Sequence, residues 1–266
     1  MGFHGGVPAR GGRGAAMNSL PRSHSAPIIA PARARHAAAP AAASHLRLDL
    51  TVALLGLLVL LAWESTGLDL VVSRVYGTHG GFPWRDAWIS RALLHDGGRA
   101  AAWCVMAFVV GSALWPASRD PQRAERWYWI GVSLVCLLIV PTIKQLSHSS
   151  CPWDLAEFGG VAAYVPHWQF RIHDGGPGHC FPSGHAVAAF GFLGMYFGWR
   201  AHRPSLARLF LALICIFGAL FGWAQLARGA HYVSHTLWSA WLCWVVCALA
   251  ARWWWLRHPA PQAVSA

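Results

Sequence analysis

Six apolar blocks, separated by segments rich in arginine, glycine and histidine, constrain this chain more than any other feature. They occupy residues 50–63, 100–116, 127–143, 183–199, 209–227 and 236–251. Each is near the lower limit for a membrane-crossing helix, about 17–25 residues, and polar-tolerant flanks extend most of them by a turn. One such block could be a buried helix of a soluble domain, but six in 266 residues argue for a bilayer. Only 12% of the chain is charged, against about 25% in an ordinary soluble domain. Trp63, Trp127, Tyr128, Trp199 and Trp253 to Trp255 stand at block edges, where amphipathic rings settle at a membrane interface. The expected fold is all-α, a polytopic membrane protein of six transmembrane helices.

The flanks divide the chain. Residues 1–45 are rich in Ala, Pro, Gly and Arg and hold almost no large apolar side chain, so a disordered basic tail is expected there. No apolar run starts early enough for a cleavable signal peptide, and Met17 offers a second start. Residues 46–257 form the membrane domain and 258–266 a short C-terminal tail. The net charge of +11 does not point to nucleic acid, because no basic cluster interleaved with stacking aromatics stands on a soluble domain.

Arginine placement sets an orientation. With the N-terminus in the cytoplasm, the inner segments hold Arg119, Arg123 and Arg126, then Arg200, Arg203 and Arg208, then Arg252 and Arg257, as the positive-inside rule requires. The outer face then receives Lys144, the lone lysine, at the end of the third span. It also receives Pro182-Ser183-Gly184-His185 at the start of the fourth, and Arg228 to His235 between the fifth and sixth. In the first outer segment, residues 68–72 and 84–94 read as short interfacial helices on the periplasmic side. The segment 147–180 is long, with Trp153, Phe158, Tyr164, Trp168 and Phe170 among its glycines, and reads as a loop covering a site.

Three motifs share that face. The first is Lys144-Gln-Leu-Ser-His-Ser-Ser-Cys151-Pro152, the second Pro182-Ser183-Gly184-His185, and the third Gln225-Leu-Ala-Arg228-Gly-Ala-His231-Tyr-Val-Ser-His235. In order and spacing they resemble the type-2 phosphatidic acid phosphatase superfamily over roughly residues 50–252. That family carries Lys, six residues, Arg-Pro; then Pro-Ser-Gly-His; then Arg, five residues, His, three residues, Asp. The second motif matches in full. The first has Cys151 in place of arginine, and the third has Gln225 in place of arginine and His235 in place of aspartate.

The resemblance implies a metal-independent phosphatase without cofactor, acting on a lipid phosphate or diphosphate at the outer face of the bacterial cytoplasmic membrane. Undecaprenyl diphosphate, phosphatidylglycerophosphate and a lipid A phosphate all suit such a site. A lipid phosphotransferase, or a non-catalytic lipid-phosphate binder or transporter, shares the same pattern. Membrane lipids are the other partners; oligomeric state is not legible. Phosphate ester cleavage needs positive charge around the non-bridging oxygens, an in-line nucleophile and an acid for the leaving oxygen. Lys144, the Ser183 and Gly184 amides and Arg228 would hold the phosphate. His231 would attack phosphorus and His185 would protonate the leaving oxygen. Aligning His235 as the nucleophile, six residues after Arg228, is the alternative.

The departures demand substitutes. Arg171 is the candidate for the first-motif cation, with His148, His173 or His179 helping. His235 or Asp154 would orient His231. The spacing of His231 and His235 also suits a metal pair, but no acidic or cysteine partner sits at matching spacing, so no metal is expected. Cys151 and Cys180 would both face an oxidising periplasm, beside the first and second motifs. A disulfide between them would pin the loop over the site.

Overall fold

The computed structural model describes residues 1–2, 32–114, 123–169 and 171–258, with side chains of the first helix described from residue 45. The expectations for residues 3–31, 115–122 and 259–266, including Arg119, lie outside the described residues, as does Phe170. Helix α1 begins at Ala32, inside the segment expected to be an unstructured tail.

Among the described residues the fold is helical, without strands. Helix α1 (Ala32–Thr66) is followed by the short α2 (Leu68–Tyr76), then α3 (Ile89–Leu114), α4 (Arg123–Gln145), the broken pair α5 (Val187–Phe190) and α6 (Leu193–Trp199), α7 (Pro204–Ala227) and α8 (Val233–Arg257). Five helices are long and apolar enough to cross a bilayer: α3, α4, α7, α8 and the His45–Thr66 part of α1.

Two elements differ from the sequence reading. The fourth apolar block is not one unbroken helix. Its helical part, Val187–Trp199, is shorter than the others and interrupted at Gly191 and Phe192. Being largely buried on all sides, it makes an apolar run for packing reasons and not for lipid contact. The second difference is at residues 84–94, expected as a separate interfacial helix. There the chain turns into a π-helical stretch, Ile89–Gly97, that runs directly into Gly98–Leu114 as one helix. The 68–72 stretch is helical, as part of α2.

The core lies where α3 to α8 meet, filled by Met106, Cys136, Val140, Phe190, Leu193, Phe197, Ile214 and Cys247. Close approach of α4 and α6 depends on Gly198, where a Cβ would stand 2.6 Å from the Trp129 ring. Helix α1 turns Leu54, Leu55, Leu58 and Val59 outward and is fastened along α8 by indole donors. Trp238 Nε1 donates to Glu64 Oε1 (2.9 Å), Trp241 Nε1 to the Ala53 carbonyl (2.8 Å) and Trp244 Nε1 to the Asp49 carbonyl (3.1 Å). At the other end of that seam Asp49 accepts two hydrogen bonds from Arg200, at 2.5 and 2.7 Å. Both side chains are at most 5% exposed, a burial tolerated because each charge has its partner. A second, smaller core of Phe82, Leu155, Phe158, Ala162 and Tyr232 lies under the loop after α4.

Candidate active site

The second motif is built on a turn and not directly on a helix end. Residues 184–186 form turns before α5, and the peptide between Phe181 and Pro182 is cis. The Ser183 N–H, expected to help cradle an anion, instead donates to the His235 carbonyl at 3.1 Å. Its carbonyl accepts from Ser239 Oγ at 2.9 Å, and its Oγ accepts from the Ala186 N–H at 3.4 Å. Ser183 therefore ties the turn to α8, and the Gly184 N–H, with no backbone partner among the described residues, is the amide left for a ligand. Lys144, at the end of α4, runs alongside: a Cβ on Gly184 would lie 3.9 Å from Lys144 Cδ.

The third motif begins where α7 ends. The Gln225 carbonyl accepts from the N–H groups of Ala230 (2.8 Å) and His231 (3.3 Å). This reversal passes through Gly229 at φ 73°, where a Cβ would also meet Phe82 at 2.4 Å, so glycine is required there. The Gly229 carbonyl accepts from the Trp153 N–H at 2.9 Å, joining the third motif to the loop after the first. Arg228 is buried; its Nε donates to the Arg85 carbonyl at 2.8 Å and its guanidinium lies 5.9 Å from the Trp153 ring. Arg85 stands 4.6 Å from the same ring. Burial lowers the pKa of Arg228, but an arginine keeps its charge.

His231 and His235 are 2% and 1% exposed, with ring centroids 5.8 Å apart. His235 Nδ1 bonds the Cys180 carbonyl at 3.1 Å, so Nδ1 carries the proton and Nε2 the lone pair. Burial holds His231 well below its ordinary pKa, with further lowering from the charges of Lys144, His235 and His185. His185 is pushed down to about 3, first by burial, then by His95, Lys144, Arg228 and Arg99. Its Nε2 is enclosed and has no hydrogen-bond partner.

Cys151 and Cys180 form a disulfide, which links the end of the first motif to the start of the second. It leaves the trio of Cys151, Cys180 and His231, whose ligand atoms lie within 4.8 Å of one another, unsuited to a metal, because a disulfide sulfur lacks thiolate charge. Other suggested substitutes do not join the group. Arg171 is exposed and has no hydrogen bond or ion pair among the described residues. His148 and His173 pack on each other, centroids 4.3 Å apart, and with His179 they are exposed. Asp154 accepts from the Cys151 N–H at 3.2 Å, so its carboxylate caps its own turn instead of orienting His231.

Two contributors were not foreseen. Asp69 of α2 accepts from the Ser234 N–H at 3.0 Å and from Trp63 Nε1 at 2.8 Å, and also from Ser234 Oγ. It is the carboxylate at the N-terminus of α8, one residue before His235, where negative charge suits the helix dipole. His95 of α3 stacks on His185 with ring centroids 3.8 Å apart. The His95-Asp96-Gly97-Gly98-Arg99 run before an apolar block was the signal for the second.

This fold defines an integral membrane protein in which the histidines and cations of three sequence motifs gather at one end of the helices. The PAP2 superfamily model matches residues 126–259, half of the chain, and the chain belongs to that superfamily, whose members are phosphatases. No curated protein matches, nor does any solved structure.

Proposed function

We propose that the protein hydrolyses a lipid phosphate or diphosphate through a phosphohistidine, without metal, at the periplasmic face of the bacterial inner membrane. The carrying observation is the enclosed, unpartnered Nε2 of His185 beside the positive charges of Lys144, Arg228 and Arg99. An unsatisfied buried nitrogen costs about 1–3 kcal/mol, and an ester oxygen of a bound phosphate satisfies it. The phosphate's negative charge also opposes the neighbouring cations and returns His185 towards its protonated form.

His231, neutral in its buried setting, attacks phosphorus. The N–P bond forms as the P–O bond to the lipid breaks, and His185 gives its proton to the departing oxygen. Water then attacks the phosphohistidine, passing a proton back to His185, and the P–N bond breaks to release inorganic phosphate. Lys144, Arg228 and the Gly184 amide offset the charge on the equatorial oxygens. Undecaprenyl diphosphate, phosphatidylglycerophosphate and a lipid A phosphate all present the required group. The orientation is supported by arginines at one end of the helices and a disulfide at the other.

The test uses purified protein in detergent micelles containing EDTA. Phosphate release from one of these lipids is expected, with loss of at least a hundredfold in His231→Ala, in line with the size of nucleophile and acid–base effects. Activity abolished by EDTA, or retained in His231→Ala, overturns the scheme. The near-complete burial of both third-motif histidines favours a second reading, transfer of the phosphate to another lipid instead of water. Product analysis with a labelled donor separates the two.

A further inference from the structure

We propose that His95 is a positioning residue for the general acid, its ring holding that of His185 in place. The inference rests on the proposed function above. His95 lies on α3, away from all three motifs, yet its ring is stacked on His185 with centroids 3.8 Å apart and planes 30° apart. Its own orientation is set by Asp96, whose Oδ1 lies 2.8 Å from His95 Nδ1. The pair stands in the π-helical start of α3, anchored below where Gly98 packs on the Phe221 ring of α7.

His185 has little else to fix its ring. Its Nε2 makes no hydrogen bond, so the flat face of His95 is the described contact that restrains rotation about its side-chain bonds. The angle at which an acid meets its leaving oxygen governs its effectiveness; a misplacement of about 1 Å can cost on the order of a hundredfold.

Two substitutions test this role. His95→Phe keeps a flat ring; His95→Ala removes it. In His95→Ala, kcat is expected to fall roughly tenfold while KM changes less than about threefold, the mark of an interaction expressed in the transition state. His95→Phe should recover most of that loss. Thermal melts of both variants close to wild type exclude misfolding as the cause. A wild-type protein that releases no phosphate defeats the proposed function, while wild-type kcat in His95→Ala, or no recovery in His95→Phe, defeats the role of His95.

Discussion

Buried imidazoles give this site an acid-side weakness. His185 is pushed down to about 3 and His167 to about 4, each first by burial, and His231 is lowered too. From the ordinary value of 6.5 downward the unfolded chain binds protons that these native rings refuse, so stability is lost as pH falls from 6.5 towards the depressed values. The melting temperature in detergent should therefore drop steadily between about pH 7 and pH 4. His167 stacks flat on Phe181, centroids 3.9 Å apart, and its Nε2 lies 3.2 Å from Glu64 Oε1. His167→Phe keeps the ring contact and should flatten the slope between pH 6.5 and pH 4, read by intrinsic fluorescence during heating. At this scale the sequence displays residues that share a motif. Lys144, His185, Arg228, His231 and His235 announce themselves by spacing, whereas His95 and Asp69 act singly, from elements whose arrival depends on tertiary packing.

Elements carry the ties between motifs. The Cys151–Cys180 disulfide, the Trp153 N–H on Gly229 and the Ser183 N–H on His235 connect all three. Replacing both cysteines with serine should lower stability by about 3–4 kcal/mol on the chain-entropy account of a loop this long. It should also reduce turnover, measured beside a reductant-treated wild type. Gly229→Ala forces a side chain into a positive φ and against Phe82. About 1–2 kcal/mol follows from the backbone alone, and denaturant or thermal melts should show a larger loss once the clash is added. Apolar blocks located the helices well, because length and hydropathy are local properties. The break at Gly191 and Phe192 and the merging of Ile89–Gly97 into α3 were not legible. Both are settled by what packs alongside, and an apolar run facing protein reads the same as one facing lipid.

For the whole molecule, the arrangement is a lipid-facing α1 laced to α8 by indole donors, a core shared by α3 to α8, and a loop cap at the site end. In a background lacking the exposed Cys104 and Cys215, Val161→Cys should react with an impermeant maleimide on intact cells. Val161 is 78% exposed in the loop cap. His202→Cys, beyond α6 at the opposite end, should react only after lysis; the reverse pattern inverts the proposed orientation.

The disulfide has a further consequence for how an active copy comes into being. It closes a segment separated by 29 positions and holds Cys180, whose carbonyl sets the proton of His235. A copy inserted upside down would carry the same residues, but in a reducing compartment the two thiols stay apart and the segment is not fastened. On the orientation proposed above, covalent closure serves as a proofreading step for insertion: only copies that have delivered this segment to the oxidising side acquire the fastened segment.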